Sequence, residues 1–299
     1  MRILLTGSSG WLGRALAPRL ARDGHEVVGL DIVPGPCTHF VGSIGERTVV
    51  DQAINGCEAV IHSGALHKPD IERHPISDFI ATNVQGTQNL LDAAVAAKVS
   101  RFVFTSTTSL MISQKIRDGK AGGAKKAEWI TEEVAPQPRN IYGITKFTAE
   151  QLCRLASREQ NLPCIVLRTA RFFPEADDMA HEIAQSDENA KANEFLFRRL
   201  SVEDAAEAHV VALAKAPEIG FDIFMVSAPT PFSPEDCEAL ISDAPSVVER
   251  YFPEYRALYK KRGWTMFSAI DRVYAPAKIE ERLGFRCKTG FAEILAGLR

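Results

Sequence analysis

No stretch of this sequence reaches the roughly 18 consecutive apolar residues that a membrane-spanning helix needs, so no membrane span is expected. There is no excess of basic charge: 35 Lys and Arg face 38 Asp and Glu, for a net charge of −3. That balance argues against nucleic acid or an anionic membrane as a partner. The six cysteines (Cys37, Cys57, Cys153, Cys164, Cys237, Cys287) include no C-x-x-C pair. Neither a zinc site nor a secreted disulfide framework fits such spacing; free thiols and no metal are expected. Internal repeats are absent. The chain enters Arg2-Ile3-Leu4-Leu5 at once, with no signal peptide before it, and a cytoplasmic location is expected.

What is present is a globular pattern, 45% hydrophobic and 24% charged over 299 residues. Short apolar runs at 3–6, 26–30, 59–62, 102–105 and 163–167 alternate with helical stretches such as 11–23, 83–97 and 142–160. Strands without polar alternation are buried on both faces, and repeated strand–helix–strand units imply a parallel, doubly wound α/β sheet. After Thr169 the rhythm breaks. Residues 174–194 are acidic and poor in apolar side chains, which reads as a loop or an excursion. A helical stretch at 202–214 and an apolar run at 221–226 follow, the latter suited to a last strand. This divides the chain into a nucleotide-binding domain, 1–173 with 201–228, and a smaller substrate-binding region, 174–200 with 229–299. Residues 113–128 carry Lys115, Arg117, Lys120, Lys125 and Lys126 around three glycines. They read as a flexible surface loop or as a basic lid drawing an anionic substrate.

The first strand runs into Gly7-Ser8-Ser9-Gly10-Trp11-Leu12-Gly13, a G-x-x-G-x-x-G turn that opens a helix. Glycine permits the tight turn, lets a pyrophosphate approach main-chain N–H groups, and lets helix pack on strand. Asp31 ends the next strand, 18 residues after Gly13. A carboxylate there accepts hydrogen bonds from the adenosine ribose and repels a 2′-phosphate, which favours NAD over NADP. Arg14 is the one basic residue nearby that would favour the phosphate. Farther on, Tyr142-Gly143-Ile144-Thr145-Lys146 places an ammonium one helical turn from a phenol. A nearby positive charge moves a tyrosine toward the working pH range.

These features together resemble the extended short-chain dehydrogenases/reductases, the NAD-dependent epimerase/dehydratase family, over about the first 230 residues. The resemblance implies a Rossmann sheet with a C-terminal substrate-binding domain, NAD as cofactor, and a homodimer built on helices 83–97 and 142–160. His62-Ser63-Gly64-Ala65 is similar to the family's His-x-Ala-Ala segment, and Asn83-Val84-Gln85-Gly86-Thr87 to its N-V-x-G-T run. Gly42-Ser43-Ile44 stands where the family carries Gly-Asp-Ile or Gly-Asp-Leu beside adenine, with Ser43 as a departure. The implied cofactor contacts are therefore Gly7, Gly10, Trp11, Leu12, Gly13 and Asp31, then Ser43, Ile44, Ser63, Gly64 and Ala65. Asn83, Thr105, Tyr142 and Lys146 complete them. Tyr142 and Lys146 resemble the proton-transfer pair. The family's third hydroxyl maps to Thr107, with Ser106 and Thr108 as rivals one register step away. Asp204 and His209 match a further family segment; Asp204 reads as a helix N-terminal acid and His209 as a core or surface residue, not a catalytic one.

Three activities share this scaffold. The dehydratases carry acidic residues directly after the threonine, where this chain has Thr108 and Ser109. The nucleotide-sugar epimerases carry L-R-x-x-N, where this chain has Arg171 in place of the asparagine. An arginine suits a phosphate or a carboxylate, so the expected partner is a small substrate, possibly anionic, touching His67, Thr107 and Arg171. The resulting expectation is an NAD-dependent epimerase or dehydrogenase acting on a hydroxyl-bearing, carbohydrate-like substrate. The alternatives are oxidoreduction of a non-sugar alcohol or ketone, and a non-catalytic NAD sensor.

Overall fold

The protein is described by a computed structural model covering residues 1–119, 121–173 and 185–299. The chain opens with β1 (Arg2–Thr6), α1 (Trp11–Arg22), β2 (Glu26–Asp31), β3 (Phe40–Val41), α2 (Arg47–Ile54) and β4 (Ala59–His62). Next come α3 (Ile76–Phe79), a π-helical turn over Ile80–Gln85 and α4 (Gly86–Ala96), without a break between them. β5 (Arg101–Thr107), α5 (Gln114–Asp118), β6 (Glu128–Ile130), α6 (Ile141–Gln160) and β7 (Cys164–Thr169) follow. The remainder is α7 (Asp187–Glu194), α8 (Val202–Ile219), β8 (Phe221–Val226), α9 (Cys237–Tyr251), α10 (Tyr255–Arg262), β9 (Arg272–Tyr274), α11 (Ala277–Leu283) and α12 (Phe291–Ala296).

Seven strands form one sheet in the order β3-β2-β1-β4-β5-β7-β8. The pairs β3·β2, β2·β1, β1·β4, β4·β5 and β5·β7 are parallel. β4 and β7 are buried along their whole length, which is why neither shows polar alternation. The chain leaves β1 toward β2 on one side and returns to β4 on the other. In a doubly wound sheet, such a reversal opens a crevice at the carboxyl ends of the flanking strands. The fold class is the α/β Rossmann sheet read from the sequence.

The molecule divides into two compact units. The first comprises Met1–Leu110, Pro136–Thr169 and Ala205–Phe224, and holds the nucleotide-type sheet. Its core includes Leu4, Val28, Leu30, Val60, Phe102 and Val166, joined by Leu90, Leu91, Ala149 and Cys153 from the covering helices. The second comprises Met111–Ala135, Ala170–Asp204 and Met225–Arg299. It packs around Phe195, Leu196, Leu240, Val248, Tyr259 and Phe291, beside a two-stranded parallel sheet of β6 and β9.

The basic 113–128 segment belongs to this second unit. It carries α5, capped by the Ser113 hydroxyl accepting from Ile116 N at 3.2 Å. Its far end is tied down where Ala127 N donates to Cys237 O and Glu128 N to Asp271 O, at 2.8 and 2.9 Å. The acidic 174–194 stretch is read differently by the structure: its second part is α7, and 174–184 lie outside the described residues. The apolar pattern misses α7 because its inner face is polar. Asn189 and Asn193 both donate to Thr265 O at 2.9 Å, and Tyr259 donates to Asn193 at 2.8 Å. Among the described residues, no helix is long and apolar enough to cross a membrane.

Candidate active site

The glycine turn is shaped by where a side chain cannot go. Gly7 adopts φ +73°, and a Cβ on it would stand 2.8 Å from Gly64 N at the end of β4. A Cβ on Gly13 would sit 2.1 Å from Gly7 O. The turn closes through Gly7 N donating to Leu30 O at 2.9 Å and Gly10 N to Gly7 O at 3.1 Å. Gly10 is the N-cap of α1 and offers no side-chain acceptor, and the first helical turn holds no acid. That helix end is therefore open to an anion. Trp11 is half exposed there, while Leu12 is buried.

Asp31 is bound to the turn itself. Its carboxylate accepts Ser9 N at 2.9 Å and Val33 N at 3.0 Å, so the acid is held at the edge of the glycine loop. Ser9 Oγ in turn donates to Val33 O at 2.8 Å. Ile32 and Val33 beyond it are exposed apolar side chains, a surface that the motif did not single out. Ser43 Oγ accepts Gly45 N at 3.1 Å, and buried Ile44 is fixed by Asn89 Nδ2 donating to its carbonyl at 3.0 Å.

Beneath the turn runs a buried polar chain. Gly64 N donates to Thr6 Oγ1 at 3.1 Å, and Thr6 Oγ1 lies 2.8 Å from His62 Nδ1. His62 Nε2 lies 3.0 Å from Thr87 Oγ1, whose proton goes to Asn83 O at 2.7 Å. Burial holds the His62 pKa well below its usual value, so the ring is neutral. Thr87 has spent its proton, which assigns the His62 proton to Nε2 and leaves Nδ1 to accept from Thr6. Ser63 Oγ donates to Thr6 O at 2.7 Å, and Ala65 follows in the same segment.

Asn83, in the widened π turn, ties this segment to α6. It accepts Leu66 N at 2.8 Å, donates to Leu66 O at 3.0 Å, and donates to Thr145 Oγ1 at 3.0 Å. Irregular helical turns of this kind recur at functional sites. His67, next along, packs its ring against Tyr142 at a centroid distance of 5.8 Å.

Tyr142, Thr107 and Lys146 sit where β5 ends against α6. Burial pushes the Tyr142 phenol up to about 12, and a hydrogen bond with the Thr107 hydroxyl acts the other way by favouring phenolate. Thr107 Oγ1 also accepts Ser109 N at 3.1 Å and lies 3.0 Å from Ser109 Oγ. Thr108 is buried and bonds Thr169 O at 3.4 Å, away from this cluster. Ser106 turns to Glu150 at 2.6 Å. Of the three hydroxyls, Thr107 is the one that acts on the Tyr142 phenol.

Lys146 departs from the sequence expectation. It is not among the groups that shift the phenol; its Nζ donates to Thr105 O at 2.5 Å and lies 4.2 Å from the Phe104 ring centroid. Burial lowers it to about 7, with Glu150 opposing. Thr105 is itself anchored, its hydroxyl 2.8 Å from Nε2 of the buried, neutral His209, whose Nδ1 donates to Ala205 O at 2.7 Å. His209 is thus a core residue that braces the lysine's acceptor.

Arg171 lies in the second unit, where its backbone bridges Arg199 and its carbonyl accepts Leu200 N at 3.1 Å. Asp204 accepts the backbone N–H groups of Lys288 and Thr289 at 2.8 and 2.9 Å as well as the Ser201 hydroxyl. Sequence reading placed Asp204 correctly in the first turn of α8, but the backbone donors that it accepts lie at 288 and 289, not in that turn.

Residues 3–224 match the sequence profile of the NAD dependent epimerase/dehydratase family. The chain belongs to that family. Its name carries the cofactor, NAD, and the two chemistries found in the family, epimerisation and dehydration. The glycine cradle, the open helix N-terminus and the anchored Asp31 carboxylate fit such a dinucleotide. The protein is similar to the low-salt glycan biosynthesis protein Agl12 of Haloferax volcanii, 31% identical over 188 residues, covering 58% of this chain and 57% of that one. It is also similar to an L-arabinose 1-dehydrogenase (NAD(P)(+)) from the same organism, 27% identical, covering 64% of this chain and 74% of that one. A short-chain dehydrogenase/reductase superfamily protein from Agrobacterium tumefaciens, solved with bound NAD, superposes with TM-score 0.70 at 24% identity, covering 100% and 96% of the two chains. At that identity the likeness is one of fold. Matches to several of the curated relatives span about half of their length or less.

Proposed function

We propose that the protein is an NAD-dependent epimerase or dehydrogenase acting by hydride transfer on a secondary alcohol of a carbohydrate-like substrate. The observation that carries this reading is the bonded set at the end of β5: Thr107 on the Tyr142 phenol, with Lys146 buried one turn along α6. When bound, NAD supplies the hydride acceptor. Gly7, Gly10, Trp11, Leu12 and Gly13 would hold its pyrophosphate, with Asp31 taking the adenosine ribose. Ser43 and Ile44 would face the adenine, joined by the exposed apolar pair Ile32 and Val33. Ser63, Gly64, Ala65, Asn83 and Thr105 would border the path to Tyr142 and Lys146.

The chain's own groups then act on the substrate. Thr107 holds the reacting oxygen, and Tyr142 exchanges its proton. A phenol near 12, with the opposing influence of Thr107 already counted, is a proton donor at neutral pH, as reduction of a ketone requires. Dehydration is disfavoured, since Thr108 and Ser109 offer no carboxyl group after Thr107. His67, against the Tyr142 ring, and Arg171 are the proposed substrate contacts, and Arg171 suits an anionic group. Exposed Ile76, Ile80, Ile144 and Leu155, on α3, the π turn and α6, support burial against a second copy in a homodimer.

The test is denaturing extraction of the purified protein, followed by turnover assays with NAD against a panel of sugars, uronates and UDP-sugars. Retained NAD with sugar interconversion marks the epimerase; accumulating NADH marks the dehydrogenase. Tyr142→Phe should lower turnover by about 100-fold or more while leaving NAD binding within a few-fold. Equal turnover in Tyr142→Phe and the parent would sink the reading.

A further inference from the structure

Glu150 is 0% exposed, one turn beyond Lys146 on the same face of α6. Its carboxylate accepts Arg168 Nε at 3.0 Å and Arg168 Nη2 at 2.8 Å from β7, and Ser106 Oγ at 2.6 Å from β5. α6 therefore meets three consecutive residues of β5 through three side chains spaced one turn apart: Tyr142 on Thr107, Lys146 on Thr105, Glu150 on Ser106. A buried ion pair seldom adds net stability over an apolar pair of the same volume, so its presence here calls for another reason.

The charge inventory supplies one. Of the titratable groups around Lys146, Glu150 and Cys153 lie on its own helix, with Tyr142 one turn before, and His62 lies on β4. His62 is neutral through burial, and the Tyr142 phenol is protonated at neutral pH. Glu150 thus bonds one buried cation, Arg168, and acts through its charge on a second, Lys146. Burial drives Lys146 toward the neutral amine, and Glu150 heads the influences that oppose it.

We propose that Glu150, clamped by Arg168, is a positioning residue for the active centre: it registers the end of β5 against α6 through Ser106, and it is the counter-charge that keeps Lys146 an ammonium on the Thr105 carbonyl. The functional consequence rests on the reading of Lys146 given above, but the charge state is measurable without substrate or turnover. The experiment is an NMR pH titration of 13C-labelled lysine in the full chain, with Lys146 assigned by Lys146→Ala. The expected parent midpoint is near 7. Glu150→Gln should lower it by a unit or more, a tenfold or greater loss of proton affinity, and Glu150→Asp should restore most of that. Should Glu150→Gln not fold, Glu150→Gln with Arg168→Met removes both buried charges. Compared with Arg168→Met alone, which leaves the carboxylate in place, the midpoint should again fall. A folded variant with an unchanged midpoint overturns the proposal. If Tyr142→Phe retains full turnover while the Glu150→Gln midpoint falls, the catalytic reading fails and the charge pairing stands. In kinetics, Glu150→Gln should also move the alkaline limb of kcat to lower pH, a change that a purely structural role would not produce.

Discussion

Asp31 is tied to the glycine turn by both of its oxygens. They accept backbone N–H groups from Ser9 and Val33, so the acid is already fixed for the ribose contact proposed above. A carboxylate oxygen has room for a second donor, and a fixed acceptor loses little rotamer entropy on binding. Asp31→Ala should therefore weaken NAD binding by about tenfold or more and narrow or reverse the preference over NADP, as read by calorimetric titration of both. Unchanged discrimination would show that selectivity lies elsewhere. At this scale, the glycine turn, Asp31, Tyr142 and Lys146 were readable in the sequence, because each residue type has few reasons to occur at its spacing. Glu150 and Arg168 were not, since a charge in a helix or strand reads as a solvated face until its partner is seen. The pairing of Lys146 with Thr105 O instead of the phenol was likewise invisible, being set by how deep α6 is buried.

Among the elements, the β1–α1 turn is the most constrained. Gly13→Ala would place a methyl group 2.1 Å from Gly7 O, a contact that opens the turn. The expected result is a loss of NAD affinity of tenfold or more, with a lowered melting temperature. Gly24→Ala provides the control: φ is +78° with nothing within 4 Å, so it should cost about 1–2 kcal/mol of stability and leave NAD binding alone. Equal effects of the two on binding would count against the cradle. Long, apolar or glycine-flanked elements could be read from the sequence. β3, β6 and β9, of two or three residues, are too short to carry a period. α7 escaped because asparagines and a glutamate, not leucines, form its buried face.

For the whole molecule, buried neutral histidines set an acid limit. Burial lowers His209 to about 4 and holds His62 well below 6.5. Between pH 6.5 and 4 the unfolded chain takes up protons at these rings that the native state does not, so stability falls with falling pH across that window. His209 alone should account for about 3 kcal/mol of the loss once pH has dropped through 4. Urea midpoints at pH 7 and pH 4.5 should converge in His209→Asn relative to the parent. An identical acid-side loss in both proteins would show that His209 does not contribute.

The two units are threaded through one another along the chain: the first is assembled from three stretches reaching Phe224, and the second uses 111–135, 170–204 and 225–299. During synthesis from the N-terminus, the glycine turn and most of the sheet leave the ribosome early, while 111–135 must wait for β9, the partner of β6, before its strand can pair. Nor can the second unit be exchanged between relatives as a single cassette. Transplanting it would mean grafting three separate segments.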